Sequence, residues 1–392
     1  MKINKIKFVK KTRQCFFGLM ATAMSFGGAV ATSTTNAFAA DQSLSNNTGI
    51  ATRKLRPTKK KSAKITMDTS KRVIFIGNVY TRAAKLTSSN KKDNIKYTSS
   101  NAKIATVSST GKVTAKRRGT VTITASSTLD SKVKCSYQLK VIKKFKKNDK
   151  LFIAHRGYSS VAPENSIPAF EAAAKKGFGA IECDIYETAK DKKGNRRFVI
   201  MHDSTLNRMC KLGSKKVYQS KLTYDTIRTK YYIKNGANVN KYSKSQLRIP
   251  TLEEYLSICK KYNVKPVIEI KTDLNKNSVN RVYQSIKKAG LQNNATVISR
   301  YKQPLVDMKK NNKKIAIQLV TNRIDNNIIK WAKKYNAGLC MYKSLANNST
   351  VDMLNRTHKI YLNLWTISSK EELSDYGYSR VGAITSNYAL WS

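Results

Sequence analysis

Acidic residues are scarce in this chain: aspartate and glutamate number 23 against 75 lysines and arginines, for a formal net charge of +52 at pH 7 over 392 residues. Histidine is scarcer, with three in all. The six cysteines are Cys15, Cys135, Cys183, Cys210, Cys259 and Cys340. Cys15 lies in an N-terminal leader, so the rest of the chain keeps an odd number at wide spacing, which excludes a disulfide scaffold. With no Cys-x-x-Cys and no Cys/His cluster, a zinc site is excluded too. Beyond the first forty residues no apolar run is long enough to cross a bilayer. The positive charge is spread along the whole chain and no nucleic-acid module is recognisable, so no nucleic-acid partner is expected.

The first forty residues have the order of a secretory signal. A basic stretch, Met1 to Arg13, precedes an apolar one, Cys15 to Ala31, and Ala37-Phe38-Ala39 is a small-x-small cleavage site. Residues 1–39 are therefore expected to be removed and the protein secreted, extracellular or associated with the cell envelope. Residues 40–62 are polar, end in lysines and lack hydrophobic periodicity, as a basic flexible linker would. From 63 to 143, short alternating runs such as Val73 to Ile76, Val121 to Ala125 and Tyr137 to Val141 are separated by Ser, Asn and Gly, which predicts a small β-sandwich. Lysine-rich residues 144–149 read as a second linker.

From Lys150 to the C-terminus, apolar strand candidates alternate with helical stretches. They are Leu151 to Ala154, Ala180 to Tyr186, Val264 to Ile270, Thr296 to Ser299, Ile315 to Val320, Gly338 to Tyr342, Ile360 to Ile367 and Ala383 to Thr385. This order predicts an α/β fold, a (β/α)₈ TIM-type barrel over 150–392. Phe198 to His202 follows Asp184 through a turn-rich loop too short for a helix, and is expected to return as a hairpin arm. Residues Asn207 to Leu247, polar and rich in Lys and Tyr, read as a long insertion that selects substrate.

The chemistry gathers at strand ends. Glu182 and Asp184, at i and i+2 in one apolar strand, project from the same face, and two carboxylates on one face need a cation between them. Glu269 supplies a third oxygen of the kind Mg²⁺ or Ca²⁺ prefers. Cys183 between the two acids should face the other way and pack as a small hydrophobe. His155 and His202 end apolar runs and form a proton-transfer pair, while Arg156 and Lys271 can hold phosphate oxygens. The third histidine, His358, lies between polar stretches and reads as an ordinary surface residue.

Taken in order, His155-Arg156-Gly157, Pro163-Glu164-Asn165, Glu182-Cys183-Asp184, His202-Asp203, Glu269-Ile270-Lys271 and Trp365-Thr366 resemble the glycerophosphodiester phosphodiesterases. The segment around Tyr97 to Ala125 resembles the bacterial immunoglobulin-like domain of the group 2 type. The first resemblance implies metal-dependent hydrolysis of glycerophosphodiesters to sn-glycerol 3-phosphate and an alcohol. It implies Glu182, Asp184 and Glu269 on the metal, His155 and His202 as catalysts, Arg156 and Lys271 on the phosphate, and Trp365 as a pocket wall. Three departures stand out: Asn165-Ser166 for the usual Asn-Thr, Ser299-Arg300-Tyr301 where Ser-Phe is usual, and Thr385-Ser386-Asn387 without the common aspartate. They are expected to affect pocket walls, and so the choice of substrate, more than the metal-histidine core.

The substrate is expected to be a small-molecule or polymeric phosphodiester, and the charge suits a cell-wall polyanion or an anionic membrane surface. Two alternatives remain open from sequence: a wall polyanion-binding protein with an inactive barrel, and a related phospholipase D acting on lipid headgroups.

Overall fold

The structure is a computed structural model that describes residues 62–376 and 380–391. The expected leader, residues 1–39, and most of the expected first linker, residues 40–62, lie outside the described residues. Among the described residues, no helix is long and apolar enough to cross a membrane.

The N-terminal domain is a β-sandwich. One sheet joins Arg72–Phe75, Lys134–Ile142, Gly119–Ser127 and Ile95–Ser99, and another joins Val79–Thr81, Lys112–Ala115 and Ala105–Val107. Alternation of buried and exposed residues along Gly119–Ser127 turns Val121, Ile123 and Ala125 inward against Leu139 and Val141. The expected linker 144–149 packs on the barrel through Phe145, which is buried in its core cluster, and just before it the Lys143 amide donates to Ser374 Oγ at 2.9 Å. The sandwich is also tied to the barrel by charge, with Lys140 Nζ 2.8 Å from Glu371 and 2.7 Å from Asp375.

The C-terminal domain is the expected barrel. Leu151–Ala154, Ala180–Glu187, Lys265–Ile270, Thr296–Ser299, Ala316–Thr321, Gly338–Tyr342, Leu362–Trp365 and Ala383–Ser386 pair in parallel in chain order. The last strand returns to the first, with Leu151 opposite Ala383, and closes the sheet. Phe198–Ile200 is the hairpin arm: it runs antiparallel to Ala180–Glu187 with Ile200 opposite Ile185. Outward-facing residues of the strands meet the helices in one large core, where Cys183 packs with Tyr255 as expected.

Tyr255, on the capped helix Leu252–Lys261, is fully buried. Its hydroxyl donates to the Ile181 carbonyl at 2.6 Å and accepts from the Val267 amide at 3.0 Å, so one side chain joins two neighbouring strands. The insertion after the hairpin has its own core. Met209, Cys210, Ile227, Ile233 and Leu247 pack on Val199 and Met201. A stretch that is polar in composition thus folds around a few well-spaced apolar residues and becomes one wall beside the barrel mouth.

Candidate active site

Strand register assembles the acids. Asp184 lies opposite Glu269 across neighbouring parallel strands, and both point inward with Glu182. One ligand oxygen from each of Glu182, Asp184 and Glu269 lies within 4.8 Å of the others. Glu182 and Asp184 are buried, and the Glu269 side chain is 13% exposed.

The turn after the first strand is built around these acids. Arg156 takes a left-handed conformation, φ +57°, which points its amide at Glu182 Oε2, 2.7 Å away. Such a backbone is sparsely populated for a residue with a side chain, and strain of this kind persists only where the surroundings impose it. Gly157 follows at φ +79°, and a Cβ there would meet the Ala169 carbonyl carbon at 2.7 Å. Only glycine lets the helix Ile167–Lys176 come this close. Asn165, φ +54°, is buried and donates to Asp184 Oδ2 at 2.8 Å.

The cations are turned toward the acids. Lys271 Nζ stands 3.0 Å from Glu269 and 3.2 Å from Asp184, and the Arg156 guanidinium reaches Glu164 at 3.1 Å and Asp184 at 3.4 Å. Burial pushes the Asp184 carboxyl upward, but Lys271, Arg156 and Asn165 outweigh it and hold the carboxyl below its ordinary range. Glu182 goes the other way. Burial and the charges of Asp184 and Glu269 raise it well above a normal carboxylate, and its buried Oε1 has no hydrogen-bond partner. Glu269 is raised by burial and Asp184. A buried carboxylate oxygen without a donor, beside two more acids, is what a site for a hard divalent cation looks like without the ion's charge. The three residues fit such an ion, held through Glu182, Asp184 and Glu269.

His155 and His202 both line the cleft that opens onto the acids, together with Arg156, Lys271, Arg300, Cys340 and Trp365; it spans about 390 Å³, open solvent at its mouth included. The two imidazoles are backed differently. His155 Nδ1 lies 2.7 Å from Asn387 Oδ1, and burial, reinforced by the Arg156 charge, pushes the ring down to about 4. His202 Nδ1 lies 2.8 Å from Asp203 Oδ1; burial lowers it too, against the pull of Asp184 and Asp203. Burial lifts Asp203 itself, but Arg208 and His202 outweigh that and hold it at about 2. Trp365 is a wall, its indole N–H donating to the Cys340 carbonyl at 3.1 Å.

A second cleft, about 550 Å³ with the open solvent at its mouth included, shares His155 and Arg156 with the first and is otherwise lined by Ser159, Glu164, Arg208, Met209, Asn235, Gly236 and Asn387. Arg208 bridges its rim, 2.6 Å from Glu164 and 2.7 Å from Asp203. All eight residues singled out from sequence thus fall at one barrel mouth. Sequence reasoning gave no role to Glu164, Asn165, Asp203, Arg208 or Asn387. The first three stand inside the motifs and were legible as candidates. Arg208 carries no such signal among so many basic residues, and Asn387 was visible only as a departure from the usual aspartate.

Residues 155–376, more than half of the chain, match the glycerophosphoryl diester phosphodiesterase family. The chain belongs to that family. Residues 63–136 match the bacterial Ig-like domain of group 2. The family domain is similar to glycerophosphodiester phosphodiesterase 1 of Mus musculus, 31% identical over 173 residues that make up 44% of this chain and 48% of that protein. It is also similar to the Bacillus subtilis protein YqiK, 35% identical over 121 residues, 31% of this chain and 45% of that one. The chain spans about half the length of these relatives. A glycerophosphodiester phosphodiesterase from Parabacteroides distasonis has the same fold, with TM-score 0.50 and 21% identity over 61% of this chain and 93% of that one. So has an Oleispira antarctica phosphodiesterase in complex with the product sn-glycerol-3-phosphate, with TM-score 0.52 and 21% identity over 60% of this chain and 92% of that one.

Proposed function

We propose that the protein is a secreted glycerophosphodiester phosphodiesterase that requires a divalent cation, Ca²⁺ or Mg²⁺, and releases sn-glycerol 3-phosphate and an alcohol. The observation that carries this reading is the convergence of Glu182, Asp184 and Glu269, within 4.8 Å of one another, on a cleft that His155 and His202 both line. A divalent ion held by the three acids would supply positive charge against a phosphate oxygen. The protein's own groups do the rest.

The asymmetry of the two imidazoles supports a division of labour. An amide oxygen only accepts, so Asn387 keeps the proton of His155 on Nδ1 and leaves Nε2 a lone pair. His155, neutral at working pH, takes the proton of the nucleophile. His202, backed by the Asp203 carboxylate, is the better holder of a proton and gives it to the departing alkoxide. The nucleophile is water or the substrate's own glycerol 2-hydroxyl, the latter passing through a cyclic phosphate. Two clefts meeting at His155 and Arg156 suit the two arms of a diester.

The leader supports secretion, and the basic excess, which runs along the whole chain and is not confined to the leader, supports retention on anionic wall polymers or membrane surfaces, whose phosphodiesters are the substrate class in question. The test is release of glycerol 3-phosphate from glycerophosphocholine and from polyglycerophosphate by the purified chain, with Ca²⁺, Mg²⁺ or EDTA. Release that needs the cation and is lost in both H155A and E182A is the expected result; no release from either substrate sinks the reading.

A further inference from the structure

The site as described neutralises one phosphate. Lys271 and Arg156 balance two of the three acids, and a divalent ion would add the charge that meets a singly charged diester. Arg300 is left over. It follows the strand Thr296–Ser299, and its backbone is held on both sides of the turn: Ser299 Oγ donates to the Ile270 carbonyl at 2.8 Å and accepts from the Tyr301 amide at 3.1 Å. The turn delivers its guanidinium over the Trp365 ring, 5.4 Å from the centroid, where it lines the cleft beside Lys271 and Glu269. Among the described residues it forms no ion pair with a carboxylate, whereas Arg156, Arg208 and Lys271 all do. It also stands where the sequence departs from the Ser-Phe pattern it otherwise resembles. A flat apolar wall has been exchanged for a planar cation stacked on an aromatic face. That arrangement presents a fork of N–H donors at the cleft.

We infer that Arg300 is a specificity-determining residue that binds a second anionic group of the substrate, so that the preferred substrates are glycerophosphodiesters carrying a further phosphate along the chain, as in polymers of glycerol phosphate. The inference rests on the phosphodiesterase reading and narrows its substrate class. Trp365 orients the guanidinium plane, and the reacting phosphate stays with the acids and histidines. The second phosphate meets Arg300, whose charge bears on Glu269 but which, among the described residues, is tied to no carboxylate in an ion pair. The interaction is charge-assisted and near the cleft mouth, so it weakens with salt.

Two synthetic substrates separate the possibilities: glycerophosphoglycerol, with one phosphate, and its extension by one glycerol phosphate unit, with two. For the full mature chain, kcat/KM is expected to be higher for the two-phosphate substrate, and the ratio of the two values is the quantity read. R300F should lower that ratio about tenfold at low salt, R300K should restore part of it, and added salt should narrow the gap between wild type and R300F. An R300F ratio equal to that of wild type overturns the assignment. If the wild type cleaves neither substrate, release from glycerophosphocholine decides the phosphodiesterase reading separately, and titration calorimetry of the same two compounds against wild type and R300F still decides the role of Arg300. Tighter binding of the two-phosphate compound that is lost in R300F upholds it, and equal binding rejects it.

Discussion

His155 Nδ1 meets the side-chain oxygen of Asn387 at 2.7 Å, so the buried imidazole of this site is oriented by a neutral amide. The other imidazole, His202, is oriented by the carboxylate of Asp203. A chain with only three histidines has placed two of them in one cleft and given them partners of different charge.

Replacing that amide with a carboxylate should move the pH profile. In N387D a negative charge faces Nδ1 and stabilises the imidazolium, so the His155 pKa rises from about 4. The base must be neutral to act, and the acidic limb of kcat/KM is therefore expected to move to higher pH by about a unit or more. A limb that stays in place shows that His155 is not the base.

Arg208 bonds Asp203 and Glu164 together, and removing it should act through His202. In R208A the Asp203 charge is no longer shared with a guanidinium and bears more strongly on the His202 ring, whose pKa should rise. The acid must be protonated to act, so the basic limb of the profile should move upward, and kcat/KM at neutral pH should fall roughly tenfold as the rim of the second cleft loosens. A variant whose kcat/KM falls while the basic limb stays fixed would place Arg208 in binding alone.

The orphaned Glu182 oxygen makes a stability prediction. The Glu182 pKa is raised in the folded state, so the cation-free protein should lose stability as pH rises from the unfolded carboxylate range through the raised value. E182Q lacks this penalty and should melt at the same temperature as cation-free wild type or higher. Addition of Ca²⁺ or Mg²⁺ at about a hundred times its dissociation constant should stabilise the wild type by about 2.7 kcal/mol and leave E182Q nearly unmoved. Differential scanning fluorimetry with and without EDTA reads both; an equal metal shift in the two proteins removes Glu182 from the cation site.

In the core outside the barrel, the Tyr255 hydroxyl joins the strands of Glu182 and Glu269 by bonding the Ile181 carbonyl and the Val267 amide. In Y255F the fully buried carbonyl and amide lose that partner, at an expected cost of about 1–3 kcal/mol in urea denaturation. Because those strands carry the acids, the metal-dependent shift in melting temperature should shrink as well. A loss below about 0.5 kcal/mol would mean that the strands find other partners.

The eight barrel strands, the hairpin arm and the strands that carry or lead into His155, Glu182, Asp184, His202, Glu269 and Trp365 were all legible along the chain, although Glu182 and Asp184 lie inside Ala180–Glu187 and not at its end, because the hairpin arm extends that strand. Strand periodicity and strand-end position are local properties, and acids in apolar runs are conspicuous where acids are few. The insertion was less legible: Met209, Ile227 and Ile233 are too far apart to form a periodic pattern, yet they share one core. In the lysine-rich stretch after the sandwich, composition marked a link between domains but did not show that Phe145 packs into the barrel core.

What the sequence determined by itself was which side chains exist at strand ends and which face each presents, because alternation along a strand fixes both. What only the tertiary structure decided was partnership. Parallel register put Asp184 opposite Glu269, closure of the sheet brought Asn387 to His155 across 232 positions of the chain, and the turn after Ser299 carried Arg300 onto Trp365. Those contacts join residues distant in sequence, and no local pattern encodes the order in which a barrel closes.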